Sequence, residues 1–135
     1  MAKVIREGGC LCGNIRYRTI GEPKSVPLCH CTMCRRASGS PVVPWATFLK
    51  RQVEWLTEPP ARFRSSEKAE RGFCPRCGSA LLFEFVAQAD WVDLTVGTFD
   101  DPDSLVPTHH IFTSTLVLWV DIQNHLPAYS EGKPK

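Results

Sequence analysis

Seven cysteines, spaced Cys10-x-Cys12, Cys29-x-Cys31-x2-Cys34 and Cys74-x2-Cys77, constrain this 135-residue chain more than any other feature. Tight clusters separated by long gaps are the spacing of metal-ligand knuckles, where one turn of chain points two sulfurs at a single ion. Cysteines that only filled a core, or served as redox thiols, have no reason to gather this way. An odd number disfavours a closed disulfide framework. The start, MAKVIREGGC, is charged and lacks the apolar stretch of a secretory signal, so the default compartment is the reducing cytoplasm. Gly13 and Gly78 follow the two pairs, and glycine turns tightly at positive φ. Pro75 stiffens the second pair.

A structural zinc takes four protein ligands; a reactive zinc takes three and keeps one position open. Seven cysteines fit one site of each kind. The two pairs, Cys10, Cys12, Cys74 and Cys77, would make the closed site, and the triplet Cys29, Cys31 and Cys34 the open one. Spacing leaves two alternatives standing: one pair joins the triplet, or His30 completes a four-ligand site.

The rest of the chain points to one domain over residues 1–135, with the polar residues 130–135 expected as a disordered tail. A net charge of +2 does not demand an acidic polymer as partner. The longest apolar runs, such as residues 116–120, are far short of the ~20 residues a membrane helix needs. Eleven prolines and nine glycines cut the chain into short pieces. Alternation or apolar β-branched character predicts strands at residues 15–20, 41–48, 53–56, 80–85, 91–99 and 116–122, with an edge or bulge at Pro44. Residues 31–38 could form a short helix carrying the last cysteine of the triplet, and any helix at residues 103–106, between two prolines, is one turn. The four tryptophans sit in apolar strands and read as core. The expected class is therefore a mainly β, zinc-stabilised fold of short strands.

The series GGCLCGNIRY, CHCTMCRRASG, RGFCPRCGSAL, VGTFDDP, HHIF and WVDIQNHLPAY resembles the glutathione-dependent formaldehyde-activating enzyme family, which includes centromere protein V. The resemblance runs from about Gly8 to Tyr129 and keeps the motif order. It implies a β-tent-like, mainly antiparallel fold with two zincs per chain. It also implies the division above, with Cys10, Cys12, Cys74 and Cys77 as structural ligands and Cys29, Cys31 and Cys34 at a catalytic-type site. The implied reaction is that of a carbon–sulfur lyase, joining glutathione and formaldehyde into S-hydroxymethylglutathione.

Three thiolates and one Zn²⁺ sum to −1, so such a zinc is a weak Lewis acid, better suited to holding a thiolate than to activating water. Arg35 and Arg36 follow the triplet and are candidates to steer an anionic thiol. His110 is a candidate proton carrier near the open site. His125 is assigned no role, and the Asp100–Asp101–Asp103 run reads as a solvated turn. A non-catalytic zinc module that docks a protein is the alternative function. Nucleic-acid binding, suggested by Arg35-Arg36, Lys50-Arg51 and Arg62/Arg64, ranks below both. The sequence does not indicate the oligomeric state.

Overall fold

The computed structural model describes residues 3–120 and 125–134. Among the described residues, ten short strands form two sheets. The smaller sheet has the order β1-β2-β5, built from β1 (Ile5–Gly9), β2 (Arg16–Ile20) and β5 (Val53–Trp55). The larger contains β3 (Pro27–Cys29), β4 (Val43–Leu49), β6 (Ala61–Arg64), β7 (Ala69–Phe73), β8 (Ala80–Phe85), β9 (Trp91–Thr95) and β10 (His109–Ile111). Its order is β10-β3-β4-β9-β8-β7-β6. Every pairing between named strands is antiparallel except that of β10 with β3, so the expected mainly β fold of short antiparallel strands is what the chain adopts. One α-helix, α1 (Thr32–Ser38), is present among the described residues.

Period-2 alternation sends one row of side chains between the sheets. Tyr17 from the small sheet and Ala46, Phe48 and Leu94 from the large one are fully buried there. The Tyr17 ring meets Trp55 and Phe99 edge-on, with centroids 5.6 and 5.2 Å away. Its hydroxyl is hydrogen-bonded to Thr98 Oγ1 at 2.8 Å, which satisfies the one polar group this ring carries inside. Each such side chain contributes roughly 1.5–3 kcal/mol of transfer free energy. The intervening row of β4 and β8, with Val43, Trp45 and Phe83, faces away from this core and packs on Cys29 and Cys34 instead.

Several strand expectations meet the structure closely: residues 80–85 are β8, and 15–20 and 53–56 lie within one residue of β2 and β5. Pro44 is tolerated because the β9 ladder already ends at Trp45–Thr95, leaving β3 as its strand neighbour among the described residues. The expected strand at 91–99 stops at Thr95, and residues 96–98 turn into a 3-10 segment. No strand forms over 116–120, where the chain makes a turn at Leu118 and Trp119; residues 121 and 122 of that expected strand lie outside the described residues. Trp119 is 76% exposed, so it is not a core tryptophan. Where any helix is expected to be one turn, over 103–106, a single 3-10 turn forms at Pro102–Ser104. The polar end, expected as a tail, runs beside β10: Phe112 N–H donates to the Glu131 carbonyl and Ser114 N–H to that of Ser130.

Candidate functional site

The two cysteine pairs occupy two hairpin loops. Cys10 and Cys12 lie between β1 and β2, and Cys74 and Cys77 between β7 and β8. Each loop closes on itself: Gly13 N–H donates to the Cys10 carbonyl, and Gly78 N–H to the Cys74 carbonyl. Both glycines have φ of +80°, the left-handed conformation that makes this tight return possible. The loops are tied together where Leu11 N–H donates to Ser79 Oγ at 3.0 Å.

The four sulfurs lie within 4.8 Å of one another. A ZnS₄ tetrahedron with ~2.3 Å bonds has sulfur–sulfur edges of ~3.8 Å. Cys10–Cys12 and Cys12–Cys74 measure 3.6 and 3.8 Å, far from the ~2.05 Å of a disulfide. All seven cysteines are unpaired. Hydrogen bonding from the Ser79 hydroxyl and backbone pulls the Cys77 thiol down to about 5, toward the thiolate a metal requires. The donor set and its spacing fit zinc.

The triplet is assembled locally. Cys29 ends β3, Cys31 is the N-cap of α1, and Cys34 is buried in its first turn. Cys34 N–H donates to Cys31 Sγ at 3.2 Å, so the capping side chain also orients a candidate ligand. Gly39, at φ +76°, closes the helix by donating to the Arg35 carbonyl. The three sulfurs again lie within 4.8 Å of one another, with Cys29 and Cys34 3.5 Å apart. Hydrogen bonds from the Cys29 and Cys34 thiols pull Cys31 far down, while the Cys31 and Cys34 sulfurs and burial push Cys29 up. Three sulfurs this close cannot all ionise without a cation among them, so this cluster too fits a metal.

Cys34 forms part of the wall of a cavity of about 600 Å³. Met33, Trp45, Phe63, Leu82, Arg36 and Arg71 line it as well. Arg71, on β7, directs two guanidinium N–H groups at Cys34 Sγ, 3.5 and 3.6 Å away, and stacks over the Phe83 ring at 4.9 Å. Its charge would offset the −1 that three thiolates around one Zn²⁺ carry. Nothing in the sequence around Arg71 marked it, because its partner lies 37 residues away and only the sheet brings them together.

Of the other candidates, Arg36 lines the cavity and Arg35 does not. His110 is buried and also stands outside the cavity wall; its Nδ1 is 2.8 Å from His30 Nε2. His30 is therefore engaged with a second imidazole and is not grouped with the three sulfurs among the described residues. Burial, then the nearby His110, pull His30 down toward the neutral form. Asp100 pairs with Arg16, at 2.9 Å. Of the basic clusters, Lys50 pairs with Glu84 at 2.6 Å and Arg62 with Glu84 and Glu70, which breaks up any continuous positive stripe. No described helix is long and apolar enough to cross a membrane.

Comparison with known proteins places the chain in a family and a fold. The sequence profile of the family described as "Glutathione-dependent formaldehyde-activating enzyme" matches residues 5–115. An uncharacterized lyase of Schizosaccharomyces pombe is 37% identical over 79 residues, covering 58% of this chain and 57% of that protein. The chain thus spans little more than half the length of that relative. A Halomonas elongata protein named "Putative glutathione-dependent formaldehyde-activating enzyme" is 28% identical over 135 residues, covering 90% of this chain and 83% of the relative. A crystal structure of a Rhodobacter sphaeroides protein shares the fold, with a TM-score of 0.57 at 15% identity over 91% of this chain and 98% of the other.

Proposed function

The chain belongs to the glutathione-dependent formaldehyde-activating enzyme family, and on that footing we propose that it is a zinc-dependent enzyme of the carbon–sulfur lyase type. Its substrates in this reading are a low-molecular-weight thiol such as glutathione and a small aldehyde such as formaldehyde. The observation that carries it is a group of three cysteines, without a fourth ligand among the described residues, one of which, Cys34, lines a cavity large enough for a ligand.

Cys10, Cys12, Cys74 and Cys77 are assigned a structural zinc, and Cys29, Cys31 and Cys34 a second zinc that keeps one position for substrate. Zinc held by Cys29, Cys31 and Cys34 would supply the deprotonation of a coordinating thiol while leaving its sulfur nucleophilic. The chain's own groups do the rest. Cys31 and the first turn of α1 hold Cys34 at the cavity wall. Arg71 fixes that sulfur and offsets the site's negative charge. Arg36 draws an anionic substrate group into the cavity. Arg35 and His110 are assigned supporting positions, one on α1 and one behind His30. The cavity holds thiol and aldehyde together, which turns a bimolecular addition into a local one. Seven unpaired thiols suit a reducing compartment such as the cytoplasm.

Native mass spectrometry of fresh protein, titrated with glutathione, tests the reading. Two zincs per chain and a glutathione adduct that needs the second zinc are expected. Two zincs that ignore every thiol would overturn it.

A further inference from the structure

We propose that the cavity beside Cys34 selects a thiol that has an apolar body and carries a carboxylate, in preference to a polar zwitterion such as glutathione. The inference rests on the reading above, that the three-cysteine site handles a thiol, and names which thiols this chain accepts.

Size gives the first reason. A volume of about 600 Å³ falls within the range that encloses small-molecule ligands, and formaldehyde uses almost none of it. The walls give the second. Met33, Trp45, Phe63 and Leu82 present apolar surface. Ser38 and Ser65 also line the cavity, but their hydroxyls are spent on the backbone carbonyls of Cys34 and Ala69. A peptide thiol brings several amides, which would lose water here for few side-chain partners.

Charge gives the third. Arg36 and Arg71 are the charged groups of the wall, and none of the described residues lining it is Asp or Glu. A carboxylate on the ligand is matched by this charge, and because glutathione's carboxylates would be matched as well, the preference for an apolar body rests on the walls. The two arginines also divide the work. Arg71 is committed to Cys34 Sγ and the Phe83 ring. Arg36 has no acidic partner among the described residues and is the group left to receive the carboxylate. Exposure gives the fourth. Phe63 is 62% and Met33 45% exposed at this cavity, apolar surface that a ligand body would cover.

The test uses the full chain loaded with zinc for affinity and with cobalt for sulfur-to-metal absorption. Three probes are compared: 2-mercapto-3-phenylpropanoate, glutathione and 3-phenylpropanoate, which lacks the thiol. The mercapto acid is expected to bind at least ten times more tightly than glutathione and to change the cobalt absorption. Arg36→Gln and Phe63→Ser, both at exposed positions, should each weaken it about tenfold while leaving the melting temperature unchanged. Glutathione binding as tightly, or unchanged affinity in both variants, would overturn the inference and leave the thiol reading intact. If 3-phenylpropanoate binds equally well without touching the cobalt absorption, the apolar-anion preference stands and the thiol reading falls. Binding of none of the three overturns both.

Discussion

At the scale of residues, the two cysteine clusters carry unequal weight. Structural zinc sites in small domains contribute on the order of 10 kcal/mol to folding. Cys74→Ser should therefore give unfolded or insoluble protein. Cys31→Ser should remain soluble and melt cooperatively with one zinc fewer. Circular dichroism melts with native mass spectra separate the two; a stable, soluble Cys74→Ser protein would refute the structural assignment. A second residue sets a pH response. Burial raises the Asp93 carboxyl to about 6, partly offset by the Thr47 hydroxyl that donates to it. The folded chain thus binds this proton more tightly than the unfolded one, so stability falls as pH rises from about 4 to about 6 and then levels. Asp93→Asn keeps the acceptor and removes the charge. It should raise stability at pH 7.5, by at most about 3 kcal/mol, and lose that advantage near pH 4. Denaturant melts at the two pH values check this. The cysteines were legible because ligand spacing is a local property of the chain. Arg71 was not, because its meaning comes from a contact across the fold.

At the scale of elements, strands that alternate or carry β-branched residues were legible, as β8 and β9 show. Strands β1, β6 and β7 were not. Their sequences IREGG, ARFR and AERGF hold charges and glycines that argue against a strand until a partner supplies the ladder. The glycine in β1 that weakens the local signal has a packing reason. A Cβ at Gly8 would lie 2.5 Å from both the Thr98 carbonyl oxygen and the Tyr17 hydroxyl. Gly8→Ala should accordingly cost about 2–3 kcal/mol by forcing these groups apart. A chemical-denaturation midpoint unchanged from the parent would show that the strand shifts freely. The 116–122 expectation failed for the opposite reason. Apolar β-branched residues alone do not make a strand, and the chain around Leu118 and Trp119 turns instead.

At the scale of the whole molecule, the class was legible and the topology was not. Short pieces between prolines and glycines announced a β fold, but no local signal sets the order β10-β3-β4-β9-β8-β7-β6. That order is decided by pairings between residues far apart in the chain. The four-cysteine cluster brings the β1–β2 loop to the β7–β8 loop, and a zinc held there would fasten one sheet to the other. Stripping metal with a strong chelator should consequently abolish the single cooperative transition of the entire domain. Restoring zinc should recover it. A chelated protein that still melts in one sharp transition would mean that the core holds the sheets together unaided.

The cluster at the cavity spans residues 29–34, whereas the one that fastens the sheets is complete only with Cys77. During synthesis the first can seize a metal once residue 34 leaves the ribosome. The second must wait for 43 more residues, roughly 2–9 s at ordinary translation speeds. On the proposed assignment, the site for chemistry would thus be open to metal before the one that fastens the fold, so the free metals present in those seconds would reach it first.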